Sequence, residues 1–156
     1  MKFAESLEYP MPLDVLEEMS LDPAFVRSRF ACFCDYLDVV VEGRSVRATG
    51  AVSDRLIPQA ARAVVRGEVS VEFTEEWSGE GAARRATSLL VAKGAPVEVS
   101  LASTFSGAET TTRKVAGDLS VKIPFFGGKL EKEAVERVSL VLAEETRLAA
   151  AWLKDR

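Results

Sequence analysis

Two carboxylates stand where an apolar side chain would be expected. Glu145 falls on the dry face of the C-terminal helical segment, within about a tenth of a turn of its centre at ~100° per residue. Glu75 lies between Phe73 and Trp77 on an alternating, strand-like run, and Arg113 shares strand parity with Val115. A carboxylate on a dry face must be paired, neutralised or wetted, because desolvating its charge alone is costly. Glu145 therefore either meets an arginine or water, or is one of the few polar points of an otherwise apolar ligand pocket. The chain has no histidine. That removes the usual general base, the triad arrangement and the commonest zinc ligand. Acid–base work would fall to carboxylates, Tyr9, Tyr36, Lys or Arg, and no two of these stand at a recognisable catalytic spacing.

The other reactive types are sparse. The two cysteines, Cys32 and Cys34 in "RFACFCDY", are too close to bridge comfortably, and no second thiol pair completes a zinc site. Buried, inert thiols are expected, with no metal and no cofactor. "KIPFFGGKLEKEAVERV", Lys122 to Val138, sets Gly-Gly-Lys ahead of a helix. A phosphate-binding loop needs G-x-x-x-x-G-K-[ST], but Ile123 stands at the first glycine and Leu130 at the hydroxyl. The stretch reads instead as a turn from strand into helix: Pro124 ends the strand, and Gly127 and Gly128 supply backbone freedom. Phe125 and Phe126 either anchor the helix end or flank a pocket mouth.

The elements that must position these residues follow from periodicity. Lys2–Tyr9 alternates, with Phe3, Leu7 and Tyr9 on one face, and reads as a first strand closed by Pro10 and Pro12. "PLDVLEEMS" and "DPAFVRSRFACFC" predict two short helices, the second capped by Asp22 with Pro23 in its first turn. A hairpin follows, turning at Gly43-Arg44. Asp54–Val65, which contains Pro58, predicts a linker with at most a helical turn. Alternation then resumes: Val69, Val71, Phe73, Glu75 and Trp77 share one face, then Val97, Val99, Leu101, Ser103 and Phe105, then Val115, Leu119, Val121 and Ile123. Strands with one wet and one dry face make an antiparallel sheet covered on one side. The cover is a helix from about Leu130 to Trp152, free of Pro and Gly, whose dry face centres near Val138 with Ala134, Leu142, Ala149 and Trp152.

Composition bounds the function classes. The chain has 156 residues, 47% hydrophobic and 28% charged, which suits one soluble domain, residues 1–156. Its formal net charge is −4 with scattered Lys and Arg, so no nucleic-acid partner is expected. No run approaches the ~20 apolar residues of a membrane helix, and "MKFAESLEYP" lacks a signal-peptide core. The expectation is a cytoplasmic protein without integral membrane association; its oligomeric state is open.

The order of strand, two short helices, six strands and a long final helix resembles the START-like (birch-pollen-allergen-like) superfamily. The "IPFFGGKLEK" junction and the "AAAWLK" helix end are similar to an uncharacterised bacterial branch of it. The resemblance implies an α+β helix-grip fold, in which a curved seven-stranded sheet wraps the last helix around an elongated cavity. It further implies a hydrophobic small molecule, a lipid or a polyketide-like aromatic, as partner. Phe73, Glu75, Trp77, Leu101, Leu119, Val121, Phe126, Leu142, Glu145 and Ala149 are its candidate contacts. A cyclase- or hydratase-type enzyme using the cavity carboxylates, or a ligandless interaction domain, are the alternatives.

Overall fold

The computed structural model describes residues 1–57, 59, 62, 65, 67–125 and 127–156. Strand β1 (Lys2–Tyr9) leads to helices α1 (Leu13–Ser20) and α2 (Pro23–Phe30). Strands β2 (Cys34–Glu42), β3 (Ser45–Val52), β4 (Ser70–Ser78), β5 (Arg85–Lys93), β6 (Val97–Ser106) and β7 (Thr111–Val121) follow, and helix α3 (Gly127–Asp155) closes the chain. The seven strands form one antiparallel sheet in the order β1-β7-β6-β5-β4-β3-β2, a meander whose far edge is completed by β1. Its curved inner face grips α3. This is the helix-grip fold. No helix among the described residues is long and apolar enough to cross a membrane.

Local chemistry explains most of the elements. Asp22 caps α2 by accepting from the Ala24 amide (3.0 Å), and its second carboxylate oxygen accepts from the Trp152 indole of α3 (2.7 Å). One side chain thus starts one helix and holds the end of another. The second helix stops at Phe30 instead of running through Cys34, since the chain turns at residues 31–33 and Cys34 opens β2. A short 3-10 turn, Asp54–Leu56, opens the expected linker, and Pro58 lies outside the described residues.

The β7–α3 junction departs from the expected hinge. Gly127 and Gly128 are the first residues of α3, and the left-handed residue is Phe125 (φ 69°), which is fully exposed. Phe125 therefore neither anchors the helix nor lines a pocket, and Phe126 lies outside the described residues. Gly127 is required for closeness rather than freedom: a Cβ there would sit 2.8 Å from the Val121 carbonyl oxygen. The helix packs differently from the simple wheel as well. Its fully buried positions are Leu130, Leu142, Glu145 and Ala149, while Val138 is half-buried. Val138 and Leu142 both line a cavity between the helix and the sheet.

Packing between sheet and helix is uneven. At one end Tyr9, Met11, Leu16, Met19, Trp77 and Phe105 pack with Leu142 and Ala149 into a filled core closed by α1. At the other, two separate clusters, one around Phe30 and Phe73 and one around Leu119 and Leu130, form walls that face each other.

Candidate functional site

Four charged side chains meet between these two ends. Arg29 projects from α2 and donates through Nε to Glu145 Oε1 (2.8 Å) and through Nη1 to Glu75 Oε2 (3.1 Å). Arg113 of β7 reaches the same carboxylates at 3.5 Å each and donates through Nε to Ser103 Oγ (2.8 Å). The Tyr9 hydroxyl donates to Glu145 Oε2 (3.1 Å), and Ser88 Oγ donates to Glu75 Oε1 (3.3 Å). None of the four charged residues is more than 5% exposed. Two arginines and two glutamates cancel formally, which is the condition under which buried charge is tolerated.

Sequence position explains how they arrive together. Glu75 and Arg113 occupy inward positions on β4 and β7, and α2 turns Arg29 inward beside Phe25, Val26 and Phe30. The guanidinium of Arg29 stands 5.0 Å from the Phe73 ring centre, within cation–π range. Burial opposes its charge, but Glu145 and Glu75 outweigh that and hold its pKa above the ordinary arginine value. Arg113 is also raised, its burial overcome by Tyr9 and the same two carboxylates. Burial, seconded by the charge of Glu145, pushes the Tyr9 phenol well above its ordinary range. Tyr9 is a hydrogen-bond donor here and not a base.

Above the network, between β4–β7 and α3, lies a cavity of about 540 Å3. Its walls are almost wholly apolar. Of the sequence candidates, Phe73, Leu101, Leu119, Leu142 and Glu145 line it. Glu75 does not: it lies behind the floor, reached only through Arg29 and Ser88, both of which do line the cavity. Trp77 and Ala149 belong to the filled core, where Trp77 stacks on Phe105 at 4.9 Å. Val121 lines a smaller adjoining space of about 170 Å3 beneath the first turns of α3. The split has a simple cause: β4 runs the length of the sheet, so its inward residues pass from the hollow end to the filled end within one strand.

The sequence reading omitted Arg29, Ser88, Leu90 and Val141 from the site. Arg29 carried a usable signal: it follows Phe25 by four and Val26 by three, so one helix face holds an arginine beside two apolar residues. Cys32 corrects the expectation of two buried thiols, for it is exposed and lines the cavity, whereas Cys34 is buried and its thiol is pushed up to about 11, chiefly by burial.

Solved structures share this architecture. A Thermus thermophilus protein superposes with a TM-score of 0.65 at 17% identity, covering 97% of this chain and 98% of that one. The Zhui aromatase/cyclase of a Streptomyces species gives 0.65 at 16% identity, covering 100% and 96%. A START superfamily protein from Mycobacterium smegmatis gives 0.58 at 15% identity, covering 96% and 98%. At such identities the likeness establishes the fold, which is START-like. No curated protein sequence matches the chain. A family profile does, across residues 4–153, and by that match the chain belongs to the family described as "Protein of unknown function (DUF2505)".

Proposed function

We propose that this protein binds a hydrophobic small molecule, a lipid or a polyketide-like aromatic, in the space between the sheet and α3. The carrying observation is the cavity itself: about 540 Å3, walled by aliphatic and aromatic side chains with a few convergent polar groups. That size and lining match small-molecule sites generally, which run to roughly 300–1,000 Å3. The aromatase/cyclase and the START superfamily protein that share the fold support the same class of ligand. Residues 1–156 would act as one binding unit, with Phe73, Leu101, Leu119 and Leu142 as apolar walls and Glu145 holding the floor in place.

Turnover is the weaker reading. Both buried carboxylates are engaged by guanidinium groups, so neither is poised to exchange protons with a substrate. The test of binding is titration with an environment-sensitive apolar dye, paired with native mass spectrometry for a co-purified apolar molecule. Saturable, one-to-one dye binding is expected in wild type. Leu90→Trp, which projects an indole into the cavity from β5, should abolish it. Equal binding by both proteins, or none by wild type, would overturn the proposal.

A further inference from the structure

We infer that the bound molecule presents a neutral hydrogen-bond acceptor, of the carbonyl type, to Arg29 at the deep end of the cavity. This rests on the binding function proposed above and specifies its ligand class. Arg29 is 5% exposed, and two edges of its guanidinium are committed, Nε to Glu145 and Nη1 to Glu75. Its Nη2 donates to no other described residue. Among the described residues, only the Trp77 indole nitrogen is both sealed in and unpartnered. Nη2 is therefore not sealed, and the space open to it is the cavity that Arg29 lines. A guanidinium donor that no described residue uses, in an apolar chamber, is a preformed place for an oxygen.

Charge decides which oxygen. Arg29 and Arg113 already balance Glu75 and Glu145, so a carboxylate or phosphate at the floor would bring a net negative charge into low dielectric. A pure hydrocarbon would cover the donor and leave it unsatisfied. A ketone, ester or amide oxygen satisfies Nη2 without adding charge. Ser88, also on the floor, directs its hydroxyl proton to Glu75, so it does not duplicate the donor. Arg137 also lines the cavity, but from an exposed position on α3 where solvent screens its charge.

The experiment compares methyl naphthyl ketone, ethylnaphthalene and naphthoate, one ring system with three substituents, as competitors of a bound apolar dye. In wild type the ketone should bind about tenfold or more tighter than the hydrocarbon, the expected scale for a hydrogen bond to a charged donor, with naphthoate weakest. Arg29→Lys keeps the charge but loses the fork; the ratio of ketone to hydrocarbon affinity, both read in the same variant, should shrink to about threefold or less. Should that variant not fold, the infrared carbonyl stretch of the ketone bound to wild type decides: a shift to lower wavenumber than in apolar solvent supports the inference, and no shift overturns it. Equal affinity of ketone and hydrocarbon, or naphthoate binding tightest, overturns this inference and leaves the binding function standing. Failure of all three to displace the dye overturns the inference, and if the dye itself does not bind, the binding function falls with it.

Discussion

The two ends of the space between sheet and helix are built from the same strands, yet one is solid and the other hollow. At the solid end the inward residues are large, Trp77 on β4 and Phe105 on β6, and α1 adds Leu16 and Met19 from outside the sheet. At the hollow end the same strands present Val71, Val99, Leu101 and Leu119, and α3 turns half-buried Val138 toward them. Alternation is the same in both regions. What differs is side-chain volume and the presence of a second layer of helix. The charge network lies on the border, so it is the floor of one region and the ceiling of the other.

The largest test of that border is Glu145→Gln. It leaves Arg29 and Arg113 buried with one carboxylate between them and should cost about 3–5 kcal/mol of stability, read by chemical denaturation. The same substitution at Glu144, whose partner Arg147 is exposed on the same helix, should change little. Comparable effects at the two positions would mean the network is wetter than its burial indicates.

Truncations should separate the ends themselves. Leu16→Ala, at 1% exposure in the filled core, should cost about 2–5 kcal/mol, since the vacated space cannot be closed. Leu90→Ala removes the same atoms from a wall that already faces a cavity, and fewer packing contacts are lost. Its cost should stay below about 1.5 kcal/mol. Equal losses would argue that the hollow end is collapsed in solution.

The smallest effects concern the thiols beside the hollow end. At pH 8 a maleimide should modify Cys32 and spare Cys34, and a saturating apolar dye should slow the modification of Cys32. The folded state keeps the Cys34 proton from the ordinary value of 9.0 up to about 11, whereas the unfolded chain releases it first. Its contribution is therefore complete below pH 9 and fades as pH rises through about 11. Cys34→Ala should flatten that part of an alkaline stability profile. Unchanged slope would assign the alkaline loss to other groups, Tyr9 among them.

What was legible from the sequence was whatever repeats along one element. Alternation at Val69 to Trp77 marked β4 and its inward face, the Asp22-Pro23 pair marked the start of α2, and the long run without Pro or Gly marked α3. Even Glu145, Glu75 and Arg113 could be placed on dry faces, because each position follows from a local period of two or 3.6 residues. Which charges meet was not legible. Arg29 lies 116 residues from Glu145 and 46 from Glu75, and no local pattern carries a distance across the fold. Nor could a period distinguish Trp77 in a packed core from Phe73 on a cavity wall, four residues apart on one strand face. An inward position says only that water is excluded on one side. Whether protein or open space lies opposite depends on how far α3 stands from the curved sheet, and that separation is set by side chains contributed from α1, α2 and many strands at once.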